Sequence, residues 1–495
     1  MKSPLKNFNP LFVTYLEIGR MWLRPYLSLP SIVISLTWED PREFFLKIQQ
    51  RFGIRIRGLS GNGTSASVRN IEGPRNYRLP GDIQWSTRNC NNGRTSVLYF
   101  ANNSMPYTQS GYTVRTHGML RAFSETSSRK IICVTRLGYP VVVGRIPKSR
   151  EDIIDGVIYR RIIPRLFMPS RRLRAREEIR QLTRIAKAEQ VGVIHTTTDY
   201  RNAYIVSHVA KRLSIPWIYE VRGERENTWL SQFEAAETNQ AAASRYYSYA
   251  HEKEFEAMKK AARVIFLSEV AKADAVSNGL KPVHACVIPN SLPGRSSAAE
   301  VHNSAQILVS SLVDKNKKYI GTVSSLVHYE GLSIVVQALP FLPGDVNALF
   351  VGDGIERSRL EALARSLGVC DRVVFAGKQP TESISEWYRA LDVFVVPRIS
   401  SLVTARVTPI KTLEAMRIGI PVLASDLPAL HEVTGELAVY FEPGQLEDFV
   451  RKIKMLLDGN VEINQKRVDR WLRTRTWEHN VKNLEAMYTE LTGEK

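Results

Sequence analysis

The sequence predicts an α/β protein made of two doubly wound, parallel-sheet domains in series. Three observations lead there. Short β-branched runs alternate with helical stretches from Thr95 onward, the pattern of right-handed strand–helix–strand units. The alternation pauses once, over the Ser- and Ala-rich residues 292–315, and then resumes. The length of 495 residues suggests two to four domains at roughly 100 to 200 residues each.

Taken in order, residues 1–93 stand outside the pattern and read as an accessory, partly flexible extension. Its apolar start, from Leu11 to Ile34, is broken by Glu17, Arg20, Arg24 and several prolines, so neither a secretory signal nor a membrane anchor is expected. Gly61, Gly63 and Ala66 have the spacing of a dinucleotide fingerprint, but Gly73 and Pro74 follow where a helix is needed, and a flexible linker is the plainer reading. Residues 94–300 hold the strand-like runs SVLYFA, KIICVT, GVIYRRI, VGVIHT, IPWIYEV, ARVIFLS and HACVIPN. The pause over 292–315 reads as an interdomain linker. Residues 301–475 then hold KKYIGTV, NALFVG, DRVVFAG, LDVFVV, IPVLAS and LAVYFE. Leu446, Phe449, Val450, Ile453, Leu456 and Leu457 keep a 3.6-residue period, which predicts a helix lying on the second sheet by one face. A terminal helix fills 476–495. Ligand is expected in the cleft at the carboxyl ends of the two sheets.

Composition narrows the function class. With 44% hydrophobic and 24% charged residues the chain can build cores and is not disordered as a whole. No apolar run reaches membrane-spanning length, and a cytoplasmic protein is expected. The four cysteines, Cys90, Cys133, Cys286 and Cys370, have neither metal-site nor disulfide-framework spacing. Charge is one-sided: residues 1–300 carry 45 Lys+Arg against 25 Asp+Glu, and residues 301–495 carry 23 against 24. Such an excess suits an anionic surface or acceptor. No basic motif interleaved with aromatics and no helix-turn-helix is present, so nucleic acid is not an expected partner.

The segment VTPIKTLEAMRIGIPVLASD (407–426) carries the most chemistry. Thr408 suits an N-cap, Pro409 the first helical position, and Gly419 with Pro421 a stop, so a helix is expected from about Pro409. The N-terminus of such a helix favours an anionic phosphate, and Lys411 adds a full charge in the first turn. Glu414 lies three residues on, where a carboxylate accepts well from a ribose diol. The plain alternative is an i,i+3 ion pair between Lys411 and Glu414.

The segment LEAMRIGIPVLASD, preceded by two such domains, resembles the signature of retaining glycosyltransferases of family four, which have the GT-B fold. The segments LYFANNSMPYTQSGYTVRTHGML, VIHTTTDYRNAY, IPWIYEVRGERE, VIPNS, YEGLSIVVQAL, LFVGDG and VVFAGK agree, in the right order. The resemblance implies two Rossmann-like domains facing a cleft, a nucleotide-sugar donor held mainly by the C-terminal domain, a glycan or lipid-linked acceptor held mainly by the N-terminal one, and no metal or other cofactor. No DxD motif occurs. Position by position, Glu414 matches the ribose-binding second glutamate of the family's pair. Gly111 matches the glycine-rich loop beside the donor diphosphate, and Tyr112, Arg115 and His117 follow it into the helix. His117 either reaches the cleft or packs on the sheet. Asp353, between Gly352 and Gly354, either faces the cleft or makes a tight turn. Gly377 and Lys378 match the loop bordering the base. The sequence departs from the family at Arg406, where the first glutamate falls, at Ser325 and Glu330, where the diphosphate-binding arginine and lysine fall, and at Thr197, where many relatives place a histidine.

The resulting expectation is a retaining, metal-independent hexosyltransferase-like enzyme of cell-surface polysaccharide or glycoconjugate synthesis; the alternative is a non-catalytic glycosyltransferase-like binding or scaffold protein. The catalytic candidates are Lys411, His117 and Arg222, with Arg398 or Arg406 as helpers and Glu224 beside Arg222 on the acceptor side. The donor-binding candidates are Gly111, Tyr112, Ser325, Glu330, Asp353, Gly377, Lys378, Thr408, Ile410 and Glu414. Arg172, Arg176, Arg180 and Arg184 recur every four residues beside an apolar side of Leu173, Ile179, Leu182 and Ile185. That stripe, with the charge excess, predicts peripheral contact with an anionic membrane at its inner face.

Overall fold

In the computed structural model the described residues are 72–74, 77–87, 93–168, 170–233, 235–294, 303–380 and 383–493. The apolar start, Gly61, Gly63, Ala66 and Cys90 lie outside them. The first sheet has strands β1 (Ser96–Ala101), β2 (Ile131–Thr135), β3 (Glu151–Ile154), β4 (Val157–Arg161), β5 (Val191–Thr197), β6 (Trp217–Val221), β7 (Arg263–Phe266) and β8 (Ala285–Val287). The second has β9 (Lys318–Val323), β10 (Val346–Val351), β11 (Val373–Gly377), β12 (Val393–Val396), β13 (Val422–Ser425) and β14 (Val439–Phe441). Their orders are β3-β4-β2-β1-β5-β6-β7-β8 and β11-β10-β9-β12-β13-β14. The second is the doubly wound order in which chain direction across the sheet reverses between its first and fourth strands. The first repeats it between β1 and β5, with β3 added at one edge.

The strands form where the sequence has runs buried on both faces, as parallel sheets require. All seven residues of β5 are buried, and so are all six of β10. In the second sheet the pleat sorts alternate residues to opposite cores. Ile320, Ala348, Phe350, Val393 and Val395 meet Val335, Leu360, Phe449, Ile453 and Leu456 on one side. Tyr319, Leu349, Val351, Phe394 and Val396 meet Trp387, Leu413, Met416, Leu430 and Val468 on the other. The helix Leu446–Leu457 lies on the first of these cores by the periodic face expected of it. The helix Lys411–Ile418 lies on the opposite one.

Two expectations are corrected. Strand β3, antiparallel to β4, was not foreseen; Asp155 and Gly156, with φ of 49° and 77°, close a two-residue hairpin of the type that an Asp-Gly pair favours. The stretch 292–315 is not all linker, since Asn303–Leu312 is helical. Within the N-terminal extension, Ile83 is buried, Ser86 N donates to Lys260 O at 2.9 Å, and Ser86 Oγ accepts from Trp217 N at 3.0 Å.

The chain divides into two compact units. One runs to Glu220 and includes Asn239–Val264 and the chain from Glu485; the other holds Val221–Thr238 and Ile265–Leu484. The first is organised around buried Glu220, which accepts from Tyr99 OH at 2.7 Å and from Arg115 Nε at 2.8 Å and lies 3.4 Å from His195 Nε2. His195 Nδ1 bonds the Tyr488 hydroxyl at 2.7 Å, so the last helix is tied to β5.

In the second unit two loops are locked together at the ends of β9 and β12. Tyr329 O accepts from Ile399 N at 3.2 Å. Gly331 has φ of 66°, and a Cβ there would lie 1.9 Å from Pro397 O. Backbone in that region strains any L side chain, and here the neighbouring backbone has nowhere to move. Gly331→Ala is therefore expected to cost on the order of 3 kcal/mol in urea unfolding. An unchanged midpoint would show that the two loops are not held by this contact.

Candidate active site

The carboxyl ends of β9 and β12 are neighbours, but the chain leaves them toward opposite faces of the sheet. A crevice at such a reversal is where doubly wound sheets take ligands. Three charged side chains meet there. Glu330, from the loop after β9, places Oε2 2.5 Å from Lys411 Nζ and Oε1 3.1 Å from Arg398 Nη2. Arg398 follows β12 and also donates from Nη1 to Val407 O at 2.7 Å, while its Nε has no acceptor among the described residues. The three side chains are only 6%, 7% and 13% exposed for Glu330, Arg398 and Lys411.

Two cations share one carboxylate, so the cluster keeps one net positive charge. Burial alone would push the Glu330 carboxyl up, but Arg398 and Lys411 hold it down at about 2. Burial pulls the Lys411 ammonium down to about 8, with Arg398 adding to the fall and Glu330 opposing it. Of the three donors on that ammonium, one is directed at Glu330.

The segment that joins Arg398 to Lys411 is clamped along its length. Asn290 Nδ2 donates to Thr408 O at 2.8 Å, and Ser268 Oγ donates to Arg406 O at 2.8 Å. Arg406 reaches Asp274 Oδ1 at 2.7 Å and Glu224 Oε2 at 3.5 Å. The position expected to carry the family's first glutamate thus holds a cation that is itself matched by carboxylates. Burial raises the Glu224 carboxyl against the pull of Arg406.

The helix starts later than expected. It begins at Lys411, with Ile410 as N-cap in helical geometry and no capping side chain. Thr408 is not the cap because its carbonyl and hydroxyl, the latter at 3.3 Å, are both taken by Asn290. The plain alternative, a Lys411–Glu414 ion pair, does not form: Glu414 pairs with Arg417 and Lys411 with Glu330. Burial raises the Glu414 carboxyl, and Arg417 opposes the shift.

Other donor-side candidates border this crevice. Ser325 is exposed in the loop that carries Glu330. Asp353 is an exposed turn residue whose Oδ1 accepts from Gly354 N at 2.9 Å. Its loop lies tight against the Ser325 loop, since a Cβ on Gly352, with φ of 139°, would be 1.9 Å from Ser324 O. Gly377 O accepts from Gly352 N at 2.8 Å, which sets exposed Lys378 beside that turn.

In the first sheet the corresponding reversal lies between β1 and β5, where Asn102 Nδ2 donates to Thr198 O at 3.3 Å. The helix Gly111–Thr126 starts from the loop after β1, with Ser110 and Thr113 forming a capping box. Open space surrounds the position of a Cβ at Gly111, and Tyr112 is 55% exposed. Of the two positions open to His117 the structure shows the second, which corrects its place among the catalytic candidates: it packs on the sheet, with Nδ1 2.9 Å from Tyr159 OH and Nε2 2.9 Å from Asp155 Oδ2. Asp155 is in the turn that precedes β4, at the amino ends of the parallel strands and away from the ligand end. Arg222 is buried just beyond β6, and Thr197 is buried at the end of β5.

Asp274 and Asn290 were not foreseen as site residues. Asn290 had a signal in VIPNS, a polar pair after an apolar strand; Asp274, one carboxylate in an ordinary helix, had none. Among the described residues no group of three or more His, Cys, Asp or Glu is placed to hold a metal ion.

Comparison with known proteins matches residues 110–291 to the Glycosyl transferase 4-like domain and residues 304–471 to Glycosyl transferases group 1. The chain is 28% identical over 249 residues to the 2-deoxystreptamine glucosyltransferase of Streptomyces kanamyceticus, covering 48% of this chain and 63% of that one. It is 35% identical over 133 residues to the lipopolysaccharide core biosynthesis mannosyltransferase LpsB of Rhizobium meliloti, covering 25% and 36%. The chain thus spans less than two thirds of the length of either relative. Among solved structures, sucrose-phosphate synthase from Thermosynechococcus elongatus superimposes with a TM-score of 0.64 at 16% identity, over 80% of this chain and 99% of that one. The Anabaena protein HepE in complex with UDP gives 0.54 at 16% identity, over 80% and 95%. Two parallel-sheet Rossmann-like domains thus give the chain the GT-B fold, and its two family matches run in order, a Glycosyl transferase 4-like domain followed by Glycosyl transferases group 1.

Proposed function

We propose that the protein transfers a sugar from a nucleoside-diphosphate-sugar to a hydroxyl of a glycan or glycolipid acceptor, with retention at the anomeric carbon and without a metal. The carrying observation is the buried cluster of Glu330, Arg398 and Lys411, with net charge +1, at the chain reversal of the second sheet. In the reaction the bond from the anomeric carbon to the diphosphate oxygen breaks and a bond to the acceptor oxygen forms. The acceptor proton passes to the leaving phosphate, so no enzymatic nucleophile is required. Charge grows on the departing diphosphate, and preorganised cations in a poorly hydrated site stabilise it most at the transition state. Lys411 and Arg398 supply that charge, and Glu414, one turn along the same face, accepts from the ribose diol. Arg222 and Glu224, beyond the end of β6, are assigned to the acceptor side.

The names of the relatives support the reading: a glucosyltransferase, a lipopolysaccharide mannosyltransferase, and HepE, also solved in complex with UDP-glucose. The lipopolysaccharide core biosynthesis name favours a role in cell-surface polysaccharide or glycoconjugate synthesis; a place at the cytoplasmic face of a membrane is part of the proposal and is tested below. A thermal-shift screen against UDP-, GDP- and ADP-sugars tests the proposed transfer, since a ligand at about 100 times its Kd stabilises by roughly 2.7 kcal/mol. Stabilisation by one donor, followed by acceptor-dependent release of its nucleotide, is the expected result. Stabilisation without turnover on any acceptor would favour the non-catalytic homologue.

Glu414→Gln is expected to raise the donor KM and lower turnover, together on the order of 1.5 to 3 kcal/mol, because an amide is a poorer acceptor for two hydroxyls. Unaltered donor kinetics in the folded variant would remove Glu414 from the ribose site. Lys411→Met should lower kcat by about a hundredfold while changing donor Kd less, since its effect grows toward the transition state. A loss of thermal stability with kcat intact would make Lys411 only the structural partner of Glu330.

Membrane contact is the remaining element. Arg172, Arg176, Arg180 and Arg184 are all exposed on the helix Arg171–Ala188, and Lys211 and Arg212 are exposed on Tyr200–Leu213, which packs against it. Ile179 and Leu182 are buried, but Leu173, expected on the apolar side, is 38% exposed. At about 1 kcal/mol per basic residue the stripe gives reversible, salt-sensitive adhesion to anionic lipid. Changing the four arginines to Gln should abolish sedimentation with anionic vesicles at low salt. Equal sedimentation of both proteins, or none by the wild type, would leave the stripe a solvated helix face.

A further inference from the structure

The sequence places a carboxylate, Glu330, in a loop that the proposed function assigns to a diphosphate, and simple electrostatics makes that unfavourable. A negative charge at that point should weaken the binding of an anion. Three features of the structure point the other way. Glu330 lies inside the protein rather than toward solvent, 6% exposed, with each of its oxygens on a different cation. The backbone on either side of it is fixed, by the Tyr329 O to Ile399 N bond and by the contact of Gly331 with Pro397 O. Its two partners come from separate segments, Arg398 from the end of β12 and Lys411 from the first turn of a helix, and Glu330 bridges them.

We propose that Glu330 is a positioning residue that touches no substrate: it bridges Arg398 and Lys411, holds their charged groups side by side at the chain reversal, and keeps the Lys411 amine protonated for a nucleoside diphosphate. This rests on the function proposed above and adds what makes a two-cation phosphate seat usable while it is empty. Without the bridge two buried cations would repel each other, and the more easily deprotonated one would lose its proton. Arginine does not deprotonate, so the proton lost would be that of Lys411.

The groups that face the Lys411 residue are few. Glu330 comes from the loop after β9 and Arg398 from the loop after β12. Tyr388, from the helix Ile384–Arg389, donates its hydroxyl to Lys411 O at 3.3 Å, and Glu414 with Arg417 sits on its own helix. Of the charged groups acting on the ammonium, Glu330 raises its pKa, and burial and Arg398 lower it to about 8. Removing the carboxylate removes the only opposing influence among these, so the pKa must fall further.

Two readouts on Glu330→Gln test this. The first needs no nucleotide: lysine labelled with 13C at Cε is titrated by NMR, with the Lys411 signal assigned by its loss in Lys411→Arg. Its midpoint, about 8 in the wild type, should drop by at least about one unit in Glu330→Gln. An unchanged midpoint overturns the proposal. The second is the Kd of UDP by calorimetry at about pH 7.5, where Coulomb repulsion alone predicts tighter binding in Glu330→Gln and positioning predicts binding weaker by about threefold for the first unit of pKa lost and about tenfold for each further unit. Tighter binding overturns the proposal. If the midpoint falls as expected and UDP binds neither protein, the nucleotide reading fails while the role of Glu330 toward Lys411 stands. Should Glu330→Gln not fold, Lys411→Arg decides, since binding of UDP by the wild type should weaken as pH rises through about 8 and that of Lys411→Arg should not. The same pH dependence in both proteins overturns the proposal.

Discussion

The buried ion cluster of Glu330, Arg398 and Lys411 is the constraint on which the loops at the second sheet's chain reversal depend. Taking three charges out of water is costly, and Coulomb attraction in a protein interior repays it only when geometry is good and the remaining donors find partners. Here it does more than join side chains. Through Arg398 it fixes Val407, and through the Gly331 turn it fixes Pro397, so both loops at the chain reversal have one arrangement. The helix Lys411–Ile418 enters that arrangement with its first side chain already engaged.

The first unit contains a buried ionic hub of a different character. Glu220 is matched by Arg115 with Tyr99 donating to it, and His195 and Tyr488 continue the network to the last helix. Glu220 and Arg115 balance each other, as suits a group that holds strands and helices together. The Glu330 cluster does not balance, and its surplus lies where doubly wound sheets bind ligands. Arg406, matched by Asp274 and Glu224, is a third case, a cation committed to holding the loop rather than offered to a ligand.

What the sequence made legible follows the physics of each feature. Strands buried on both faces, such as VGVIHT and NALFVG, announce themselves as apolar runs, and both sheets could be read from them. The hairpin that adds β3 was carried by one Asp-Gly pair between weakly patterned residues and was missed. At the site, residue types were legible and partners were not. Lys411 and Glu330 are 81 positions apart, so only the fold shows that the lysine belongs to Glu330 and not to Glu414, three residues away. Thr408 has the right chemistry for a cap, but Asn290, 118 positions earlier, takes both of its oxygens. His117 was placed by helix position alone, and its rotation toward Tyr159 and Asp155 depends on a hairpin that had not been foreseen.

The imbalance of charge at the second sheet's reversal links the fold to the proposed reaction, and it makes one observation decisive. A crystal structure of the protein with UDP bound would locate the diphosphate directly. The account predicts phosphate oxygens within hydrogen-bonding distance of Lys411 Nζ, at the carboxyl ends of β9 and β12, with Glu330 still bridging Lys411 and Arg398. A diphosphate bound elsewhere, with Lys411 and Arg398 making no contact to it, would contradict the account.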